Sequence, residues 1–216
     1  MTTTNTKIER RAFSVGEMRA ADDTESRMVT GHAAVFDVLS HPIADFREKI
    51  APGAFAETIK SDDVRALWNH SPNHVLGRTK SGTLTLSEDD RGLAFEVDVA
   101  ETQTGNDALV SIRRGDVDDM SFGFIVTEDE WEQESGGMAT RTLKAVTLLD
   151  VSPVAFPAYP ETDVAVRSLD AWKASEAASN QPSLETRKRQ ATLAELERKP
   201  SLDKLYQHRS VLDSIK

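Results

Sequence analysis

The chain has 216 residues, a formal net charge of -10 and no cysteine. This length suits one domain with a buried core plus an appendage. The missing cysteine excludes disulfides and thiol nucleophiles, and the acidic balance argues against direct nucleic-acid binding, which needs clustered Lys and Arg.

The N-terminal part of the sequence shows no export or membrane signal. Residues 1–10 lack the apolar core of a signal peptide, and no window is long and apolar enough to span a bilayer. The first 27 residues are polar, so we expect residues 1–27 to form a flexible N-terminal segment. These features predict a soluble, intracellular protein with no membrane partner.

Short strands and one helix are predicted in the next part of the chain. Residues 28–36 have the apolar character of a strand. Residues 50–59 combine a Pro-Gly turn with a short helix, because two apolar residues four positions apart share a helical face. Residues 64–68 form a short apolar strand whose end leads to His70.

Residues 84–99 alternate strongly between apolar and polar side chains. The two alternating runs flank a polar loop that ends at Gly92. A period of two predicts a β-hairpin with one apolar face. The residues of that face are Leu84, Leu86, Leu93, Phe95, Val97 and Val99.

A helix and two strands are predicted downstream of the hairpin. Residues 102–114 carry an apolar stripe at helical spacing, and Gly115 is a suitable helix stop. Strands follow at residues 120–127 and 141–154, with an acidic segment and a Gly-Gly turn between them. Residues 154–162 are interrupted by prolines, so we expect them to close the domain in an extended path.

These elements predict an α+β fold that is mainly β. Many short strands with two interleaved helices favour an antiparallel sheet or barrel with helices packed outside it. The regular strand–helix alternation of a doubly wound fold is missing.

The composition changes after Leu169. Residues 171–186 are rich in Ala, Ser, Asn and Pro, which is typical of a linker. Leucines then recur at roughly helical spacings, interrupted by Pro200. This pattern predicts either a pair of short surface helices or a detachable interaction tail. The leucines are Leu193, Leu196, Leu202, Leu205 and Leu212.

Ser121 lies in an apolar run that is predicted to be a strand. Alternation places Ser121 and Gly123 on one face, opposite the three apolar residues that flank them. A glycine at this position would let a substrate backbone approach closely. Ser121 is therefore either a solvent-facing strand residue or a nucleophile presented by a rigid element.

His70 follows an apolar strand and precedes a Ser-Pro turn. A histidine there either makes a capping hydrogen bond or acts as a base. Imidazole suits the second task, because a serine hydroxyl is a weak nucleophile until a nearby base takes its proton.

His74, four residues after His70, raises the possibility of zinc. The metalloprotease pattern needs a glutamate directly after the first histidine, on a helix. Ser71 stands there instead, and Pro72 disrupts a helix. No other His, Asp and Glu cluster completes a site, so we expect no metal and no cofactor.

Asp150 lies within an apolar run, and a buried carboxylate needs a partner. A histidine is one such partner, and the carboxylate would then fix the tautomer of the base. Arg78 or a backbone N–H group would satisfy it equally well.

Short motifs follow one another in a fixed order between residues 29 and 166. They are Gly31-His-Ala-Ala-Val-Phe36, Ile50-Ala-Pro-Gly-Ala-Phe55, Trp68-Asn-His70, Leu76-Gly-Arg78, Met120-Ser-Phe-Gly-Phe124, Leu149-Asp-Val-Ser-Pro-Val154 and Phe156-Pro-Ala-Tyr159. In this order and spacing the chain resembles the prohead (procapsid) maturation proteases of tailed bacteriophages. These are serine endopeptidases similar in fold to the herpesvirus assemblins.

The resemblance implies roles for the candidate residues. Ser121 would be the nucleophile and His70 the general base. Asp150 would be the third member, with His74 as the alternative because assemblins use a second histidine. We expect Arg78 to help orient an oxyanion-binding N–H group.

The resemblance also implies a fold and a division of the chain. The fold would be a compact antiparallel β-barrel surrounded by helices, with Gly123 beside the substrate. Residues 28–168 would be the protease domain. Residues 169–216 would be a linker and helical tail that holds the enzyme inside the prohead and is removed by autoproteolysis.

The function implied is cleavage of the scaffolding segment of the major capsid precursor, any separate scaffold protein and the protease itself. The location would be the interior of the procapsid in the host cytoplasm, and a homo-oligomer, a dimer or higher, is expected. Two alternatives remain: a catalytically inactive scaffold or capsid-assembly protein, and a metal-dependent hydrolase that a chelator would inhibit.

Overall fold

The computed structural model describes residues 7–13, 18–21, 23, 25–133, 137–156, 163–179 and 188–189. In these residues, strands dominate and three helices are present, which confirms the mainly β prediction. The elements are β1 (Glu9–Phe13), β2 (Arg19–Ala20), β3 (Met28–Val35), β4 (Phe46–Ile50), α1 (Thr58–Ser61), β5 (Arg65–Trp68), β6 (Ser71–Arg78), β7 (Leu84–Glu88), β8 (Gly92–Asp98), α2 (Gln103–Arg114), β9 (Asp119–Glu132), β10 (Ala139–Val154) and α3 (Asp163–Ser179). Within the described ranges, no helix is long and apolar enough to cross a membrane.

The strands pair into two sheets. The larger sheet has the order β1-β9-β10-β5-β6, and β4 pairs with a different part of β10. The smaller sheet has the order β2-β3-β8-β7. One cluster of buried apolar side chains takes members from both sheets, including Val29 and Phe95 from the smaller and Phe122 and Phe124 from the larger.

The expected antiparallel barrel differs from the strand pairing in two ways. Among the described strands, neither sheet closes into a ring, because β1 and β6 end the path of the larger sheet. The larger sheet is also mixed, since β10 runs antiparallel to β9 but parallel to β4 and β5. The parallel pairs arise because β10 returns between segments that precede it by many residues, as crossover connections allow.

Local sequence patterns gave the correct hairpin and the correct long helix. The hairpin is β7 and β8, with Leu84 opposite Val97 and Leu86 opposite Phe95. Helix α2 begins after Thr102, whose hydroxyl accepts a hydrogen bond from the Gly105 N–H at 3.1 Å. The helix is followed by Gly115, the predicted stop, whose φ of 74° is the left-handed conformation that glycine adopts readily.

The acidic segment between the last two strands is mostly strand itself. Strand β9 continues to Glu132 and β10 begins at Ala139, so the predicted strands are extended on both sides. The acidic side chains find partners across the pair: Lys144 Nζ lies 3.0 Å from Glu130 Oε2.

The N-terminal residues include an ordered strand, which corrects the expectation of a uniformly flexible segment. Strand β1 pairs antiparallel with β9, with Ala12 opposite Ser121. A buried ionic cluster, defined by Glu9, Arg11, Glu48 and Arg141, anchors this strand. Each of its four residues is at most 3% exposed.

The charges of the buried ionic cluster are matched by close contacts. Arg11 Nε lies 2.7 Å from Glu48 Oε1, and Arg11 Nη2 lies 2.7 Å from Glu9 Oε2. Arg141 Nη1 contacts both carboxylates, at 3.1 Å and 3.2 Å. Burial works to lower the pKa of Arg11, but the Glu48 and Glu9 carboxylates raise it by more, so the guanidinium stays charged.

The predicted linker at residues 171–186 is wrong in its first part. Helix α3 spans Asp163–Ser179 and so covers the beginning of that segment. Its many alanines are the strongest helix formers, and they outweigh the turn preference of the serines. The leucine-rich residues 193–212 and most of the proline-interrupted residues 154–162 lie outside the described residues, so those predictions are not tested.

Candidate functional site

The centre of the larger sheet carries four residues of the candidate site on one face. Ser121 and Gly123 lie on β9, opposite Ser152 and Asp150 of β10. The register shifts between Leu148 and Asp150, so one residue of β10 bulges out just before the carboxylate. Cross-strand partners share a face, and this bulge therefore brings Asp150 onto the face of Ser121.

His70 is carried by a tight turn between β5 and β6. Trp68 pairs with Ser71, and the two residues between them, Asn69 and His70, have φ values of 52° and 56°. Two central residues with positive φ define a type I′ turn, in which asparagine is favoured at the first position. The histidine side chain is thus held by a two-residue connection rather than by a loose strand end.

Two hydrogen bonds attach this turn to the end of β10. The Asn69 N–H donates to the Pro153 carbonyl at 3.0 Å. The Ala155 N–H donates to Asn69 Oδ1, also at 3.0 Å. Because β10 carries Asp150, these bonds fix the position of His70 relative to the carboxylate.

The structure brings the three predicted residues Ser121, His70 and Asp150 together. The separation is 2.7 Å between Ser121 Oγ and His70 Nε2, and 2.6 Å between His70 Nδ1 and Asp150 Oδ1. A carboxylate only accepts, so the Nδ1–H donates to it, and Nε2 is then free to accept the serine proton. This order of groups is the one that nucleophilic acyl transfer requires.

Asp150 has a second close partner that the sequence analysis missed. The Ser152 hydroxyl donates to Asp150 Oδ1 at 2.6 Å, and Ser152 is fully buried. The signal that could have revealed it is the strand period, since residues two apart lie on one face. Asn69 was also missed, although asparagine before a turn residue is a known hairpin preference.

Gly123 lies against Asp150 rather than against an open substrate cleft. A Cβ atom at this position would stand 2.3 Å from Asp150 Oδ2. The missing side chain therefore makes room for the carboxylate. The prediction at Gly123 was the approach of a substrate backbone, whereas the group that lies beside it in the structure is the Asp150 carboxylate.

Arg78 forms an ion pair with Asp63, a carboxylate that does not belong to the Ser121–His70–Asp150 group. Its Nε lies 2.7 Å from Asp63 Oδ1, and its Nη2 contacts Asp63 Oδ2. The hydrogen bond from Arg78 lowers the pKa of Asp63 to about 2. Arg78 lies on β6, opposite Arg65, which in turn pairs with Asp150 on β10. Asp150 thus takes His70 and Ser152, not Arg78, as its hydrogen-bond partners.

His74 is exposed on β6, in the irregular stretch between the Leu67–Val75 and Trp68–Ser71 pairs. The third position beside His70 is occupied by Asp150. Among the described residues, no group of three His, Asp or Glu side chains is arranged to hold a metal ion.

The candidate nucleophile is closed off from solvent. Ser121 is 0% exposed, while the side chains of His70 and Asp150 are each 10% exposed. A substrate carbonyl can reach Ser121 Oγ only after the surrounding residues move.

Comparisons with known proteins agree with the resemblance. A family model described as caudovirus prohead serine protease matches residues 15–175. The chain is 26% identical over 164 residues to the protein named Prohead protease of Enterobacteria phage HK97, and the alignment covers 74% of this chain and 68% of that protein. No solved structure matches the chain.

Proposed function

This chain belongs to the caudovirus prohead serine protease family, and from that premise we propose that it is a serine endopeptidase with Ser121 as nucleophile, His70 as general base and Asp150 as the orienting carboxylate. The observation that carries the proposal is the pair of hydrogen bonds, of 2.7 Å and 2.6 Å, that joins the three side chains in this order. Family membership alone would not assign these residues.

The reaction proceeds through an acyl-enzyme. Ser121 Oγ attacks the peptide carbonyl while His70 Nε2 takes the hydroxyl proton, and Asp150 stabilises the imidazolium that forms. Backbone N–H groups stabilise the oxyanion. His70 returns the proton to the leaving amine, and water then hydrolyses the ester with His70 again acting as base.

We propose the capsid precursor as the principal substrate, with cleavage inside the procapsid. The scaffolding segment of that precursor, a separate scaffold protein and the protease itself would be cut. Residues 28–168 together with strand β1 would form the catalytic domain, and residues 169–216 the tail that is removed by self-cleavage. If proteolysis depends on self-association into a homo-oligomer, the specific activity of the protein will fall when it is diluted.

The proposal is tested by following the intact mass of purified wild-type protein and of Ser121→Ala for hours at neutral pH, alone and with capsid precursor. We expect wild type to cut the precursor and to lose a C-terminal piece, while Ser121→Ala does neither. Asp45→Asn, at an exposed loop position, is the matched control and should behave as wild type. Cleavage of the precursor at the same rate by Ser121→Ala would refute the assignment.

The second candidate function is an inactive scaffold or assembly protein. The complete burial of Ser121 is the observation that favours it, because a protease must expose its nucleophile to substrate. On this alternative, Ser121→Ala would support capsid maturation as well as wild type does, and the wild type would leave the precursor intact.

A further inference from the structure

The Asp150 carboxylate is held by two donors on a single oxygen. Oδ1 accepts from His70 Nδ1–H and from the Ser152 hydroxyl, each at 2.6 Å. The other oxygen, Oδ2, lies against Gly123. The carboxylate is therefore restrained on both sides, by two donors at Oδ1 and by a backbone contact at Oδ2.

Ser152 is placed where its hydroxyl serves the site and not the hydrophobic core. It lies directly opposite Ser121 in the β9–β10 pair and is 0% exposed. A hydroxyl buried in a strand interior needs a partner. Here the partner is a carboxylate, and hydrogen bonds to an ionised acceptor are the stronger kind.

Loss of this donor would act on the base through the carboxylate. Without the Ser152 hydroxyl, Asp150 Oδ1 would accept from His70 alone, and the carboxylate could rotate about its own side-chain bonds. The Nδ1–H of His70 would then be held less firmly, and Nε2 would meet the Ser121 hydroxyl in the productive geometry less often.

We propose that Ser152 is a positioning residue of the proteolytic site, a fourth member that fixes the Asp150 carboxylate for His70. It does not touch the substrate or the reacting atoms. The part of this inference that concerns rate rests on the proposed function, whereas the part that concerns the His70–Asp150 hydrogen bond does not.

The experiment compares Ser152→Ala with Ser152→Thr, which retains the hydroxyl. Two quantities are measured: kcat and KM for cleavage of the capsid precursor, and the proton NMR position of the His70 Nδ1–H. For Ser152→Ala we expect kcat to fall by at least about tenfold with KM unchanged, because a charge-assisted hydrogen bond is lost. The Nδ1–H signal should move. Ser152→Thr should restore both quantities.

Thr142→Val is the matched control. Thr142 is buried on the same strand, β10, and pairs with Glu130 on β9, away from Asp150. Removal of its hydroxyl should leave kcat and the Nδ1–H signal at their wild-type values. If Ser152→Ala does not fold, Ser152→Cys, with a weak S–H donor of similar size, takes its place.

The outcomes separate this inference from the proposed function. If wild type cleaves and Ser152→Ala has the same kcat and the same Nδ1–H position, the positioning role is refuted. If wild type cleaves nothing, the proposed function fails, and the NMR signal alone decides: a shift in Ser152→Ala supports the inference, and an unchanged signal overturns it.

Discussion

Replacing Gly123 by alanine tests whether the position of the Asp150 carboxylate controls the rate. The added Cβ would stand 2.3 Å from Asp150 Oδ2, whereas ordinary contact begins at 3.4 Å. The carboxylate must therefore recede by about 1 Å. It cannot do so freely, because its other oxygen is bound to His70 and Ser152.

A displacement of this size is small for stability and large for catalysis. Misplacing a catalytic group by about 1 Å can cost roughly 100-fold in rate. We therefore expect Gly123→Ala to lower kcat for capsid-precursor cleavage by about 100-fold, while the protein remains folded by circular dichroism. The initial rate at saturating precursor is the quantity to measure.

A control and a double variant isolate the cause. Gly105→Ala creates a clash at a similar distance, with a Cβ 2.1 Å from the Ala100 backbone carbonyl oxygen, but in helix α2. It should lower Tm and leave kcat unchanged. In an Asp150→Ala background, Gly123→Ala has no carboxylate to displace, so it should change the residual rate no further. A Gly123→Ala variant with kcat within about threefold of wild type would refute the reasoning.

Three further predictions concern the turn, the buried charges and the response to acid. Asn69→Gly accepts positive φ but loses the acceptor for the Ala155 N–H, so we expect its kcat to fall about tenfold. Asn69→Asp should stay near wild type, and equal kcat values for the two variants would contradict the reasoning. Arg141→Met leaves Glu9 and Glu48 with one cation, and should lower the free energy of unfolding, measured in urea, by about 3–5 kcal/mol. An unchanged free energy of unfolding would contradict a stabilising role for the cluster. Hydrogen bonding from Arg78 lowers the pKa of Asp63 from 3.8 to about 2, so the contribution of Asp63 to stability is present above about pH 4 and is lost as the pH falls towards 2. Over that range, Asp63→Asn should show a smaller drop in Tm than wild type. An identical drop in the two proteins would contradict the linkage.

Local patterns in the sequence predicted the elements whose partners are close by. The alternation at residues 84–99 gave the β7–β8 hairpin, and helix α2 followed from its apolar stripe and Gly115. In both cases, the information lies within the span of a single element or hairpin. A period of two or of 3.6 residues was sufficient.

Strand β1, whose burial depends on distant partners, was not predicted. Strand β1 contains three charged residues, two of which, Glu9 and Arg11, are buried, and its sequence is too polar to predict a core strand. Their burial is compensated by Glu48 and Arg141, which are far away in the chain. No window of sequence contains that compensation, because it exists only after the strands have paired.

The site was predicted in part for a similar reason. Ser121 and His70 were identified from motifs, but the partner of Asp150 remained open among a histidine, an arginine and the backbone. The bulge between Leu148 and Asp150 decides which face the carboxylate occupies. A shift of one residue moves a side chain to the opposite face of a sheet, and alternation alone does not reveal such a shift.

The position of β10 in the chain has a consequence for the time at which activity can first appear. This strand is the last of the larger sheet to be synthesised, yet β4, β5 and β9 all pair with it. Until the ribosome has released residues up to Val154, the nascent chain has neither the orienting carboxylate nor the strand that aligns His70. On the proposed function, the protein is therefore proteolytically inactive until residues up to Val154 have left the ribosome, even though the segments before β10 already contain Ser121 and His70.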